Sequence, residues 1–521
     1  MATSNKPNQL PRAAGVLIPL FSLRTRNDLG CGEILDIIPF LQFALAMLHR
    51  IVQLLPLNET SPGEASPYNA LSVFAIDPLY ISLDGVAGIP GADIEQARAI
   101  CYGRRSVPRG RIRTVKLALL EQSFRNFVDC GGPKEHAALD SFVDSNRGWL
   151  DDYALFRALK ERFGWAAWER WPEELKSRDA ASLAAVRDDL AQSIRMYTYW
   201  QFIAHRQWAE VRAAAAARGA LLGGDLAFSP ARDSAEVWAN QDLFRLDRFV
   251  GAPPDAFSST GQRWGLPMPD WERMRFNNFA WWRNRVRHAS SLFDLFRIDH
   301  VVGLYRTFSF GRDPDEPGAF WPESPEDQRA QGEAFLRMVL YEAGGAGVIA
   351  EDLGVIPPFV RKSLVALGIP GYKVMRWEKE GWGTVEERYL SPIEYPELSL
   401  ATTGTHDTET FTVWWRDAGE DERRQLATAL ELEDRVNPNR ACLAGADLES
   451  ILEKLYAAPS WLVIVPIQDL FGWDVRINLP GTVLDSNWAY RLPLTLERLS
   501  RSFAIRARQA NLRAIVERTG R

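Results

Sequence analysis

LFRIDHVVGLYR, residues 295–306, has the apolar density of a buried strand at Leu295, Phe296, Ile298 and Val301, yet Arg297, Asp299 and His300 set three ionisable groups inside it. Burying such groups is costly unless they are paired or used in chemistry. The same form, an apolar run ending in polar or charged residues, recurs along the chain. It appears as GVLIPLF (15–21), IVQLLPL (51–57), ALLGGDLAF (220–228), GVIAEDL (347–353), GYKVMRW (371–377), LATTGTHD (400–407) and WLVIVPIQDL (461–470). With 295–301 that makes eight candidate strands, separated by helical stretches. Near-continuous apolar strands alternating with helices predict an α/β fold with a parallel sheet covered on both sides, and eight of them predict a closed (β/α)8 TIM barrel. An open doubly wound sheet is the alternative, but no glycine-rich phosphate loop follows the first strand.

The chain of 521 residues reads as a single catalytic barrel, 1–521, with insertions. The gap from the second strand to the third exceeds one crossover. Residues from about 95 to 215 carry helical spacing, as in DDYALFRALKERFG, and predict an inserted helical subdomain. A polar excursion at about 229–275, rich in Pro, Gly, Asp and Ser, predicts long active-site loops after strand three.

A net charge of −6 arises from 61 basic and 67 acidic residues without a long single-sign block, which speaks against nucleic acid and anionic membranes as partners. The four cysteines lack CxxC spacing, so reduced thiols and a cytoplasmic location are expected, with no metal site. The run GVLIPLF is too short to span a bilayer and is a poor signal peptide. Aromatics are abundant: 19 Trp, 13 Tyr and 26 Phe. Most belong in a core, but those near polar loops offer flat apolar faces for sugar rings.

In a parallel barrel all strand C-termini meet at one rim, where active sites form. Strand four ends in Arg297, Asp299 and His300, strand five in Glu351-Asp352, strand seven in His406-Asp407 and strand eight in Gln468-Asp469. Two carboxylates about 5–5.5 Å apart suit retaining glycoside chemistry, one attacking the anomeric carbon and one exchanging a proton. Arg297, two residues before Asp299 and on the same strand face, supplies a cation that keeps a nucleophile ionised. Each residue also has a plainer reading. Arg297 and Asp299 suit a structural ion pair, Asp352 a helix N-cap, and the two histidines satisfied core positions. Three strand ends carrying three carboxylates, two of them next to histidines, favour the chemical reading.

IDH at strand four, AEDLG after strand five and TGTHDT at strand seven resemble motifs of the α-amylase-like glycosidases. More closely, the chain resembles the 4-α-glucanotransferase family, also called amylomaltase or disproportionating enzyme. The likeness runs over nearly the whole chain, through LPLNETSPGEASPYNALSVFAIDPLYI, GGDLAFSPARDSAEVWAN and APPDAFSSTGQRWG to PIQDLFGWDVRINLPGTVLDSNWAYRL. The resemblance implies a cofactor-free transferase acting on α-1,4-glucans and maltooligosaccharides, a monomer or weak homo-oligomer. It implies Asp299 as nucleophile, Glu351 as general acid/base and Asp407 as the third carboxylate, gripping the ring hydroxyls. Arg297, His300, His406 and Asp225 join them in the pocket. Tyr68 is implied as a stacking platform, Trp264 as an aromatic wall on the acceptor side and Phe257 as a further substrate-binding residue, although ordinary loop packing suits Trp264 as well.

Departures from the family pattern fall away from the carboxylates. Ala256 replaces a tyrosine before Phe257, Leu266 follows Gly265 where an asparagine is usual, Gly63 stands for a tyrosine, and VVGLYR (301–306) lacks the usual aromatics. Ala256 is expected to raise hydrolysis relative to transfer. An α-glucan hydrolase, a transferase with an unusual acceptor, and a non-catalytic glucan-binding protein are the competing readings.

Overall fold

The computed structural model describes residues 8, 10–101, 106–254, 261–313, 316–381, 383–384 and 386–521. Its centre is a sheet of eight parallel strands: β1 (Ala13–Leu17), β2 (Ile51–Gln53), β3 (Leu221–Leu226), β4 (Leu295–Ile298), β5 (Gly347–Ala350), β6 (Gly371–Val374), β7 (Ser399–Thr402) and β8 (Leu462–Pro466). Every residue of β1, β2, β4, β5, β7 and β8 is buried, which is why these segments read as continuous apolar runs rather than alternating ones. Gly15 lets β1 approach its neighbour, because a Cβ there would lie 2.8 Å from Ile51 Cβ.

Around the sheet the order is β6-β7-β8-β1-β2-β3-β4-β5, so strands successive in sequence are neighbours in space. The remaining gap, β5 to β6, is bridged rather than laddered. Ala350 N–H donates to the Pro370 carbonyl at 3.0 Å, and Tyr372 N–H donates to the Asp352 carboxylate at 2.7 Å. Asp352 therefore does not cap a helix: the helix that follows starts at Pro358 behind Pro357, and the carboxylate closes the barrel instead.

Between β2 and β3 lie four long helices: α1 (Gly91–Cys101), α2 (Arg109–Cys130), α3 (Pro133–Arg162) and α4 (Ala191–Ala216). α4 leads into β3 and is the crossover helix of the barrel itself. It grips the loop after β2 through two side-chain amides that imitate strand pairing. Gln201 accepts Ile76 N–H at 3.0 Å and donates to its carbonyl at 2.8 Å; Gln207 does the same at Ser82, at 2.9 and 2.7 Å. From α3, Arg157 donates to Glu59 at 2.9 Å, and the Tyr153 hydroxyl donates to the same carboxylate, all with no exposed side-chain surface on the ion pair.

The excursion expected as long loops is more ordered than its composition suggests. Phe244–Ala252 and Gln262–Pro269 form a hairpin in a four-stranded antiparallel sheet with Thr307–Phe310 and Ala319–Trp321. Two register shifts within the hairpin break the period-two alternation that would have exposed it in the sequence. Phe257 and Ala256 lie outside the described residues. Among the described residues no helix is long and apolar enough to cross a membrane.

Candidate active site

The ladder between β3, β4 and β5 sets the site. Asp225 of β3 pairs in register with Arg297 of β4, and Ile298 pairs with Ala350 of β5. One step further, Asp299 N–H bonds to Leu226 and Glu351 N–H bonds to Ile298, so Asp299 and Glu351 emerge side by side at the rim.

Arg297 is the hub. Its Nη1 donates to both oxygens of Asp225 at 2.8 and 2.7 Å; its Nη2 lies 2.8 Å from Asp299 and 3.7 Å from Glu351. One guanidinium nitrogen shared at those distances keeps the nearest oxygens of Asp299 and Glu351 no further apart than the lower end of the about 6.5–9.5 Å of an inverting pair. Asp225 keeps no exposed side-chain surface: its second partner is the Tyr68 hydroxyl, donating at 2.7 Å. It lies behind Arg297 as a buttress, whereas the Asp299 side chain is 24% exposed and reaches the cleft.

Glu351 is fastened through main chain, accepting His300 N–H at 2.7 Å and Leu353 N–H at 3.1 Å. Burial pushes its pKa up to about 7; Arg297 pulls the other way, and Asp299 adds to the rise. Asp407 behaves in the opposite sense. Burial alone would raise it, but His406 and the Asn478 amide bring it down to about 2. Asn478 Nδ2 donates to it at 2.7 Å, and His406 Nε2 stands 3.4 Å away. Two carboxyls of one rim, one protonated near neutrality and one fixed as an anion, are the division that acid–base chemistry on a charged transition state requires.

The two histidines divide likewise. Burial lowers His300 to about 4, leaving a neutral imidazole packed edge-on to Trp264 (4.8 Å) and Phe228 (5.5 Å). Gly303 makes this packing possible, since a Cβ would fall 2.6 Å from the His300 ring and 2.7 Å from Phe228. His406 is raised despite its burial, by the adjacent Asp407. Its ring stacks on Tyr68 at 5.2 Å and 19°, and Trp488 leans against both rings at 5.7 Å.

Arg297, Asp299, Glu351, Asp225, Tyr68, His300, His406, Asp407 and Trp264 thus form one contiguous cluster, and Phe257 lies outside the described residues. Asp469 is separate: it is buried, accepting from the Thr403 hydroxyl at 2.5 Å and Phe411 N–H at 2.7 Å. Trp488, Asn478 and Arg476, whose guanidinium holds the Asp407 carbonyl at 2.7 Å, were not picked out from the sequence. They sit in a polar loop without strand or helix period, and only their place in the family-like stretch RINLPGTVLDSNWAYRL marked it. Among the described residues no group of three or more His, Cys, Asp or Glu side chains is arranged to hold a metal ion.

A parallel barrel with paired rim carboxylates under a guanidinium, walled by aromatic faces, defines the class of glycoside-processing barrel enzymes. Residues 18–495 match the family model described as 4-alpha-glucanotransferase. The chain belongs to the 4-alpha-glucanotransferase family. It is 33% identical over 504 residues to the 4-alpha-glucanotransferase of Thermus thermophilus, covering 93% of this chain and 95% of that one. It is 32% identical over 504 residues to the Chlamydia pneumoniae 4-alpha-glucanotransferase, covering 93% and 92%. Among solved structures it matches the amylomaltase from Streptococcus agalactiae in complex with acarbose, with a TM-score of 0.85, 28% identity and coverage of 98% and 99% of the two chains.

Proposed function

We propose that this enzyme transfers segments of α-1,4-glucan between maltooligosaccharides by double displacement, with Asp299 as nucleophile and Glu351 as acid/base. The observation that carries the reading is the rim pair itself: two adjacent carboxylates on one guanidinium nitrogen, the more buried of them held protonated near neutrality. Asp299 attacks the anomeric carbon while Glu351 gives its proton to the departing glycosidic oxygen, and a glucosyl ester forms with inverted configuration. Glu351, now a base, takes the proton of an acceptor 4-hydroxyl; that oxygen displaces Asp299 and a second inversion restores the α-linkage.

Asp407 is the anion that grips two ring hydroxyls and favours the positively charged transition state. His406 and neutral His300 donate to sugar hydroxyls. The Tyr68–His406–Trp488 stack forms one wall, and Trp264 on the hairpin forms the wall toward the acceptor. Arg297 and Asp225 hold the pair in place rather than touching sugar. The protein acts in the cytoplasm as a monomer or weak homo-oligomer and uses no cofactor.

Incubation with maltotriose tests this. Glucose with maltodextrins longer than the substrate, at constant reducing-end count, is expected; glucose and maltose alone, with new reducing ends, would show a hydrolase. Acarbose, present in the Streptococcus agalactiae complex, is expected to compete with maltotriose.

A further inference from the structure

Arg285 lies on the helix Ala280–Leu292 behind β3 and is 3% exposed. Its Nη2 donates to the Ala227 carbonyl at 2.6 Å, while Nε and Nη1 find no acceptor among the described residues. The indole rings of Trp281 and Trp282 cover it at 5.6 and 4.6 Å. Burial lowers its pKa to about 10, against the pull of Glu236, Asp299 and Asp225, so it stays charged at neutral pH. A buried, incompletely bonded cation is expensive to keep, and its surroundings point to what keeps it.

Ala227 opens the turn that leaves β3. Two residues before it Asp225 pairs with Arg297, and one residue after it Phe228 packs against His300. Arg285 also lines a cavity of about 30 Å3 whose other walls include Asn58, Phe74, Leu226, His288 and Asp225. That volume has room for a water able to bridge guanidinium and carboxylate.

We propose that Arg285 is a positioning residue for the transfer reaction: it pins the 225–228 turn under the catalytic pair. The connections of the turn give the reason. Asp225 backs Arg297, which holds Asp299 and Glu351, and Phe228 packs on the ring of His300, whose N–H holds Glu351, so a shift of the turn moves both carboxylates. Glu351 itself faces Arg297, Asp299, the N–H groups of His300 and Leu353, and the Tyr372 phenol. Arg285 faces Glu236, whose carboxyl is held by the Ser72 hydroxyl and Val73 N–H. Removing Arg285 frees the Ala227 carbonyl and the turn, and with it the seat of Asp225, Arg297 and His300 around the carboxylate pair.

The inference rests on Glu351 as acid/base. If that reading fails, the basic limb of the pH profile persists in Glu351→Gln, whatever the Arg285 variants do. The test is kcat and KM for maltotriose across pH, with thermal unfolding as a folding control. Arg285→Gln is expected to lower kcat at least tenfold with KM within twofold, and, by displacing the groups around Glu351, to move the basic limb by about half a pH unit or more, a threefold change in proton affinity. Arg285→Lys is expected to keep the parental limb with an intermediate kcat. A folded Gln variant with an unmoved limb, or a Lys variant that shifts it as far as Gln, overturns the proposal. If the Gln variant does not fold, the Lys variant decides: reduced kcat with the parental limb supports the assignment, and parental kcat or a shifted limb overturns it.

Discussion

Glu351 accepts the backbone N–H of His300 at 2.7 Å, one residue beyond Asp299. The carboxylates proposed as proton donor and nucleophile are thereby registered through main chain rather than through two independently rotating side chains, the kind of preorganisation that lets a carboxylate pair serve both halves of a displacement. His300 adopts φ +48° to make this contact, and its ring is clamped by Trp264 and Phe228.

The first consequence is a pH profile. A general acid works protonated, so with Glu351 raised to about 7 by burial, kcat/KM for maltotriose is expected to fall as pH rises through 7. Glu351→Gln should cost about 10²–10⁴-fold in kcat/KM and abolish that limb. The sign for stability follows. A carboxyl whose folded pKa lies above its ordinary value loses stability as pH rises between the two, so Glu351→Gln should be at least as stable as the parent at pH 8 in urea unfolding.

Asn478 holds Asp407 from the loop after β8. Hydrogen bonds to charged groups contribute about 1.5–3 kcal/mol, and Asp407, with 42% of its side chain exposed, belongs at the low end. Asn478→Ala is therefore expected to lower kcat/KM roughly tenfold, with Asp407→Asn far more severe, both read from initial rates on maltotriose.

Tyr68 does two things, a ring stacked on His406 and a hydroxyl on Asp225. Tyr68→Phe removes only the second and should cost about 1 kcal/mol of transition-state stabilisation, several-fold in kcat/KM. Tyr68→Ala removes both and should raise KM as well, so comparing the two variants separates platform from buttress.

The Arg157–Glu59 pair joins α3 to the loop that carries Tyr68. Breaking a fully buried pair by truncating one partner costs about 3–5 kcal/mol. Arg157→Met should show that loss in chemical denaturation, together with a higher KM for maltotriose, because the loop loses its anchor.

Much of this was legible in the residues. The eight strands stood out because burial on both faces left unbroken apolar runs such as LVIVP and GVIA, and the rim carboxylates stood out because charge at the end of such a run is costly. Three things were hidden for physical reasons. The hairpin at Phe244–Pro269 looked like loop because register shifts scramble its alternation. Asp352 looked like a cap because a carboxylate after a strand usually is one, and only the position of Tyr372 shows it closing the barrel. Asn478 and Trp488 reach the site from a loop whose course no local pattern encodes.

The side-chain stitch between β5 and β6 has a further meaning. Where other strand pairs share a ladder, this seam has the Ala350 N–H on the Pro370 carbonyl and the Tyr372 amide on the Asp352 carboxylate, and Asp352 is the immediate chain neighbour of Glu351. The exchange of the Tyr372 amide with solvent deuterium is thus a clock for the opening of the barrel wall beside Glu351. A glucan clamped against Glu351 would slow the clock from inside, so the closing of the cylinder and the occupation of the cleft become one measurable event.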